Sequence, residues 1–221
     1  MNVQLITKQG EQGELPLSIP AERIGDQVTA AGIPFAIAKD GKNALRLAGQ
    51  TLTLKKDTRR LALLLSADSN RILDFTVGGK TVPCSVLSRT RRFASWDLYD
   101  LHETAHIQEG QLGYVSTHSH NADGTDAIAK ELYFYILILN VQGGDTVVLP
   151  RDEETLVLAA TELNTVAVPC ATPLYDRVED RPFDYTMRLG DKLRYLRMKL
   201  PWYMGDKGRY FSCYNRGRER E

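Results

Sequence analysis

A chain of 221 residues is long enough for one sizeable domain, or for a domain with an appendage. Its 28 Lys and Arg balance 28 Asp and Glu, which argues against nucleic-acid and anionic-membrane partners, although the end from Arg209 to Glu221 is locally basic. Apolar runs stop at about eight residues against the roughly 20 of a bilayer span, and the N-terminus lacks a secretory core, so a soluble cytoplasmic protein is expected.

Cys84, Cys170 and Cys213 are odd in number and widely spaced, without a Cys-x-x-Cys pair. That pattern predicts reduced thiols rather than a disulfide framework or a thiolate zinc site.

In chain order, the residues before Gly32 include LPLSIPAERIGDQVTAAG, a Pro-bearing and weakly periodic stretch that predicts an opening strand and a loop. From Phe35 to Leu163, short apolar segments alternate with Gly, Asp-Gly, Gly-Gly and Pro at intervals of about ten residues, the spacing of a β-sandwich. Asp40-Gly41, Gly78-Gly79 and Gly143-Gly144 each stand between such segments and can supply the positive φ of a tight turn, so three hairpins are predicted. In ELYFYILILNV nearly every residue is apolar or aromatic, which predicts an interior strand from Leu132 to Val141 covered on both faces. Tyr133 and Tyr135 would share one face, with Phe134 and Ile136 on the other.

After Leu163 the character changes. VPCATPLYDRVEDRPF holds Pro169, Pro173 and Pro182, which rule out continuous helix or ladder pairing and suggest a linker or wrapping arm. MRLGDKLRYLRMKLPW then places Leu189, Leu193, Leu196 and Leu200 on one helical stripe that ends at Pro201. With Trp202, Tyr203, Tyr210 and Phe211 this stripe needs a surface to cover, and self-association through residues 189–211 is one way to supply it. The expected division is a β-sandwich domain over residues 1–168, then a linker with a helical, aromatic and basic tail over 169–221.

Several groups can carry chemistry. His102-Glu103-Thr104-Ala105-His106 is a literal His-Glu-x-x-His, which on a helix would set two zinc ligands on one face beside a general base. Its flanks do not suit a zinc protease, since Asp100 precedes it, Gln108 follows it, and Leu112 stands where a third histidine would fall. His118 and His120 lie two apart, so on an extended chain they project together, close to Asn121 and Asp123. A metal there would need further ligands, which Asp97, Asp126 or His106 can offer. The alternative is that both rings hydrogen-bond to a strand end or to the turn from Asn121 to Gly124.

Trp96 and Asp97 combine a ring face with a carboxylate, as sugar sites do. The candidate sugar-binding residues are therefore Trp96, Asp97, His118, His120 and Asp123, and the candidate metal ligands are His102, His106, His118 and His120. No cofactor is expected, and a divalent metal stays open. Gly-rich phosphate loops and a Gly-x-Ser-x-Gly elbow are both missing, which argues against nucleotide binding and serine hydrolysis. Nothing singles out a pair of carboxylates for glycoside hydrolysis.

Seven segments appear in a telling order: Gly32 to Phe35, Gly49 to Leu54, Leu61 to Leu65, Trp96-Asp97, Thr117 to Gly124, Leu132 to Tyr135 and Leu149 to Asp152. Together they resemble the β-sandwich accessory domain of bacterial α-mannosidase-type glycoside hydrolases, over Gly32 to Leu163. The resemblance implies an all-β, two-sheet antiparallel sandwich, jelly-roll or galactose-binding-like, here with a C-terminal helical appendage. It also implies a non-catalytic, carbohydrate-associated module whose partner is a glycan or a glycoside hydrolase catalytic domain; the metal-binding catalytic domain of that family has no counterpart in this chain. Two other functions stay open: a metal-dependent hydrolase using the histidines from His102 to His120, and a protein-interaction module.

Overall fold

The computed structural model describes residues 2–91, 94–99, 102–107, 110–128, 130–164 and 184–186, with Leu189, Gly190 and Leu193. The chain divides into two compact units, Met1–Phe93 with Gln108–Asp176, and Ala94–Ile107 with Arg177–Glu221. In the first unit the strands are β1 (Asn2–Val3), β2 (Ile6–Thr7), β3 (Leu17–Pro20), β4 (Gln27–Ala30), β5 (Ile33–Ala36), β6 (Ala44–Ala48), β7 (Thr51–Thr53), β8 (Arg60–Ser66), β9 (Arg71–Val77) and β10 (Lys80–Val86). The second unit carries β11 (Ala94–Tyr99) and β12 (His102–Ile107). The first unit resumes with β13 (Gln111–Val115), β14 (Ser119–Asn121), β15 (Asp126–Ala127), β16 (Tyr133–Asn140), β17 (Thr146–Val148) and β18 (Arg151–Leu163), and β19 (Asp184–Thr186) belongs to the second.

The first unit is built on a six-stranded antiparallel sheet in the order β1-β6-β18-β8-β16-β13. Strand β8 shows why this sheet lies in the interior. Its residues Leu61, Leu63 and Leu65 enter one apolar core, whereas Ala62 and Leu64 enter the other, so period-two alternation buries both faces. Each fully buried Leu contributes about 1.5–3 kcal/mol relative to leaving it in water.

A second sheet, β10-β9-β17-β7, covers one face and brings Phe75, Val77, Cys84, Val86 and Val147 into the core shared with Leu63. These two sheets form the expected sandwich. Cys84 is buried as a free thiol, and burial pushes its pKa up. Strand β16 is interior as predicted, between β8 and β13, with Phe134 and Ile136 in one core and Leu139 in the other.

The opening segment is more structured than a strand and a loop. Leu5, Ile6, Ile19, Ile33 and Phe35 from β2, β3, the β4–β5 hairpin and adjacent backbone close the second face of the six-stranded sheet. Strands β4 and β5 meet through a two-residue turn whose residues Ala31 and Gly32 have φ of 50° and 74°, the signs that a type I′ hairpin demands. The sequence signal there was weak because alanine, not Asn or Asp, holds the first left-handed position.

Of the three predicted hairpins one forms: β9 and β10 pair directly across Gly78-Gly79. The other two turns carry the chain from sheet to sheet. Strand β6 is already flanked by β1 and β18, and β16 by β8 and β13, so neither has a free edge for the strand that neighbours it in sequence. Gly41 and Gly144 still take positive φ, because the chain reverses there whatever it pairs with afterwards.

In the second unit β12 lies between β11 and β19, all antiparallel. Leu189, Gly190 and Leu193 are helical, and both leucines are exposed. The rest of the predicted stripe (Leu196, Leu200), the aromatic tail, the basic end, the three-proline segment, Cys170 and Cys213 lie outside the described residues. Among the described residues no helix is long and apolar enough to cross a membrane.

Candidate functional site

A four-stranded sheet in the order β15-β14-β3-β2 gathers the polar residues of the first unit. Its register sets His120 of β14 directly opposite Asp126 of β15 on one side and Ser18 of β3 on the other. Strand β2 runs parallel to β3 with Ile6 opposite Ile19, which brings Thr7 beside the same row. Alternation along β3 explains the chemistry: Ile19 enters the apolar core, so Ser18 takes the opposite face. Thr7 Oγ1 is 2.6 Å from Ser18 Oγ and 3.0 Å from His120 Nδ1.

His118 and His120 do share a face, with ring centroids 5.7 Å apart and planes at 61°. Two carboxylates converge on their Nε2 atoms. Glu22, two residues beyond β3, stands with Oε1 3.4 Å from His120 Nε2 and 3.9 Å from His118 Nε2. Asp126 Oδ1 is 3.5 Å from His120 Nε2 and 3.9 Å from His118 Nε2. The His120 side chain is wholly buried and that of His118 is 16% exposed, whereas those of Glu22 and Asp126 are 43% and 38% exposed. The cluster is therefore closed on its histidine side and open to solvent on its carboxylate side.

Asp123 has a different task. Its Oδ1 accepts the Thr125 hydroxyl at 2.6 Å and the Thr125 amide at 3.0 Å, and these bonds hold its carboxyl below the usual carboxylate range. The turn also rests on the loop after β2, since Gly10 N donates to Gly124 O and Gly13 N to Ala122 O. Gly124 has φ of 82°, and a Cβ there would stand 2.7 Å from the Gly10 carbonyl carbon and 2.9 Å from Glu11 O. Gly124→Ala is thus expected to lose about 1–3 kcal/mol of stability. Urea unfolding measures it, and an unchanged midpoint would mean that the loop moves aside at no cost.

The remaining candidates lie in the second unit. Trp96 and Asp97 are on β11, opposite Ala105 and Thr104 of β12. His102 and His106 are on β12 itself, and the His-Glu-x-x-His motif is a strand. Four residues of strand span about 13 Å against about 6 Å on a helix, so the one-turn spacing that the zinc-protease motif needs is lost. The sequence therefore offered His118 and His120 from their spacing and Asp126 as a further ligand. It offered no sign of Glu22, Thr7 or Ser18, which arrive only through the pairing of β3 with β14.

No curated protein matches this chain. A family model for the AziU2-like beta-sandwich domain matches residues 3–166, a span that includes β2, β3, β14 and β15 and with them the whole polar cluster. With most of its length inside that match and a sandwich as its architecture, the chain belongs to the AziU2-like β-sandwich domain family.

Proposed function

We propose that this sandwich is a non-catalytic, carbohydrate-associated module of a cytoplasmic α-mannosidase-like glycoside hydrolase system, and that it receives its ligand at the cluster around His118 and His120. The observation that carries the proposal is the half-open arrangement of Glu22 and Asp126 beside a buried imidazole: partly exposed carboxylates held in place are acceptors suited to sugar hydroxyls. The ordered motifs from Gly32 to Asp152 add support, and they are what suggests a glycan or a hydrolase catalytic domain as partner. Trp96 and Asp97 remain the proposed stacking and pairing residues of the second unit.

Titration of mannose-containing oligosaccharides tests this. Asp126→Asn is expected to weaken binding by roughly fivefold, about 1 kcal/mol. An affinity equal to wild type in Asp126→Asn, or no binding to the intact protein, would refute the carbohydrate role.

A second function, association through residues 189–211, is favoured by Leu189 and Leu193, which are helical and 74% and 59% exposed.

A further inference from the structure

We propose that Glu22, His118 and His120, completed by Asp126, form a binding site for one divalent transition-metal ion of the zinc type. This goes beyond the carbohydrate role and does not depend on it. One ring nitrogen of each histidine and a carboxylate oxygen of Glu22 all lie within 4.8 Å of one another. Around a tetrahedral ion with bonds of 2.0–2.2 Å, neighbouring donor atoms stand about 3.3–3.6 Å apart. The four histidine-to-carboxylate separations run from 3.4 to 3.9 Å, so each of these pairs needs to close by only a few tenths of an ångström around an ion.

The strongest single observation is His120 Nε2. It is buried, lies 3.4 Å from Glu22 Oε1 and 3.5 Å from Asp126 Oδ1, and has no hydrogen-bond partner. Leaving a buried ring nitrogen unsatisfied is costly, and a core polar atom in that state needs a reason. The other nitrogen of the ring supplies one. Thr7 Oγ1, 3.0 Å from His120 Nδ1 and 2.6 Å from Ser18 Oγ, can accept an Nδ1 proton while its own hydroxyl donates to Ser18, and in that tautomer the Nε2 lone pair is free for an ion. His118 repeats the arrangement, with Nδ1 3.0 Å from Thr117 Oγ1. Hydroxyls behind both rings, lone pairs ahead and two anionic oxygens opposite make the donor set and outer shell of a metal site.

Ligand chemistry selects the ion. Two imidazoles disfavour calcium and magnesium, which take oxygen donors, and the lack of a sulfur donor in the set disfavours copper(I). Two carboxylates would balance the charge of one divalent ion. Because Glu22 and Asp126 are the solvent-facing donors, they are also the route by which the ion enters.

The test is zinc titration of the full-length chain after treatment with a chelator, in the absence of sugar. About one ion per chain is expected to bind and to raise Tm. Glu22→Gln and His118→Ala, both partly exposed, are expected to weaken binding by about 10–100-fold, and His120→Ala by at least as much. Thr7→Val touches no ion but removes the acceptor behind His120, and is expected to cost about tenfold. His102→Ala/His106→Ala should bind as wild type does. A wild-type chain that takes up no zinc overturns the proposal, as does uptake unchanged in folded Glu22→Gln and His118→Ala, or uptake lost in the His102/His106 double variant. Repeating the oligosaccharide titration with and without zinc separates the two roles, because zinc uptake without sugar binding would refute the carbohydrate role alone.

Discussion

Phe134→Ala is expected to lose about 3–5 kcal/mol, the range for removing a fully buried aromatic ring. Phe134 is 0% exposed, on a strand with neighbours on both edges, in the core that joins the six-stranded sheet to the N-terminal layer. Small domains have only about 5–15 kcal/mol of net stability, so the variant should unfold at a much lower denaturant concentration. Phe134→Leu, which keeps most of the volume, should lose less than about 1.5–2 kcal/mol. If the two variants unfold at the same midpoint, the ring is not what fills this part of the core.

Asn43→Ala is expected to cost about 2–4 kcal/mol although it removes little apolar surface. Asn43 is 4% exposed, and its Oδ1 accepts the amides of Leu5 and Ile6 at 2.8 and 2.9 Å. Its Nδ2 donates to Ile6 O at 2.9 Å and to Lys39 O at 3.1 Å. One side chain thus satisfies the backbone where the chain passes from β1 to β2 and where it leaves β5. Each buried group left without a partner costs about 1–3 kcal/mol, part of which water entering the gap restores.

Asn43→Asp adds a sign that a packing defect would not show. Near neutrality its carboxylate would be buried and face the carbonyls of Ile6 and Lys39, and these effects are expected to outweigh the lowering by the Leu5 and Ile6 amides and raise the folded-state pKa above the unfolded one. Protonation restores a donor. The deficit of this variant relative to wild type should therefore be largest above the folded-state pKa and shrink as pH falls through it. A deficit that does not change with pH would show that the two carbonyls have turned to other donors.

The candidate site was partly legible. His118 and His120 share a face because successive side chains on extended backbone alternate, and this needs no knowledge of the rest of the fold. Asp126 was available as a further ligand. Glu22 was not, since it sits in a segment with neither strong period nor motif, and its carboxylate meets His120 only because β3 pairs with β14 in one register. A slip of one residue in that pairing would turn Ser18 into the core and Ile19 toward the histidine. The His-Glu-x-x-His match, whose flanks already told against a zinc protease, has a spacing with meaning on a helix alone, and the segment is a strand.

What the sequence determined by itself is whatever depends on a few adjacent residues: the two-faced apolar runs of β8 and β16, the Gly78-Gly79 hairpin, the left-handed glycines and the histidine pair. Tertiary structure decided which strands became neighbours. Asp40-Gly41 and Gly143-Gly144 turn the chain as their composition dictates, yet neither makes a hairpin, because partners distant in sequence already occupy both edges of β6 and β16. Only that choice of partners, made by burying two cores at once, brings Thr7, Glu22 and Ser18 to His120. Dihedral preference is a property of neighbouring residues, whereas a ligand set drawn from Glu22, His118, His120 and Asp126 is a property of strand register.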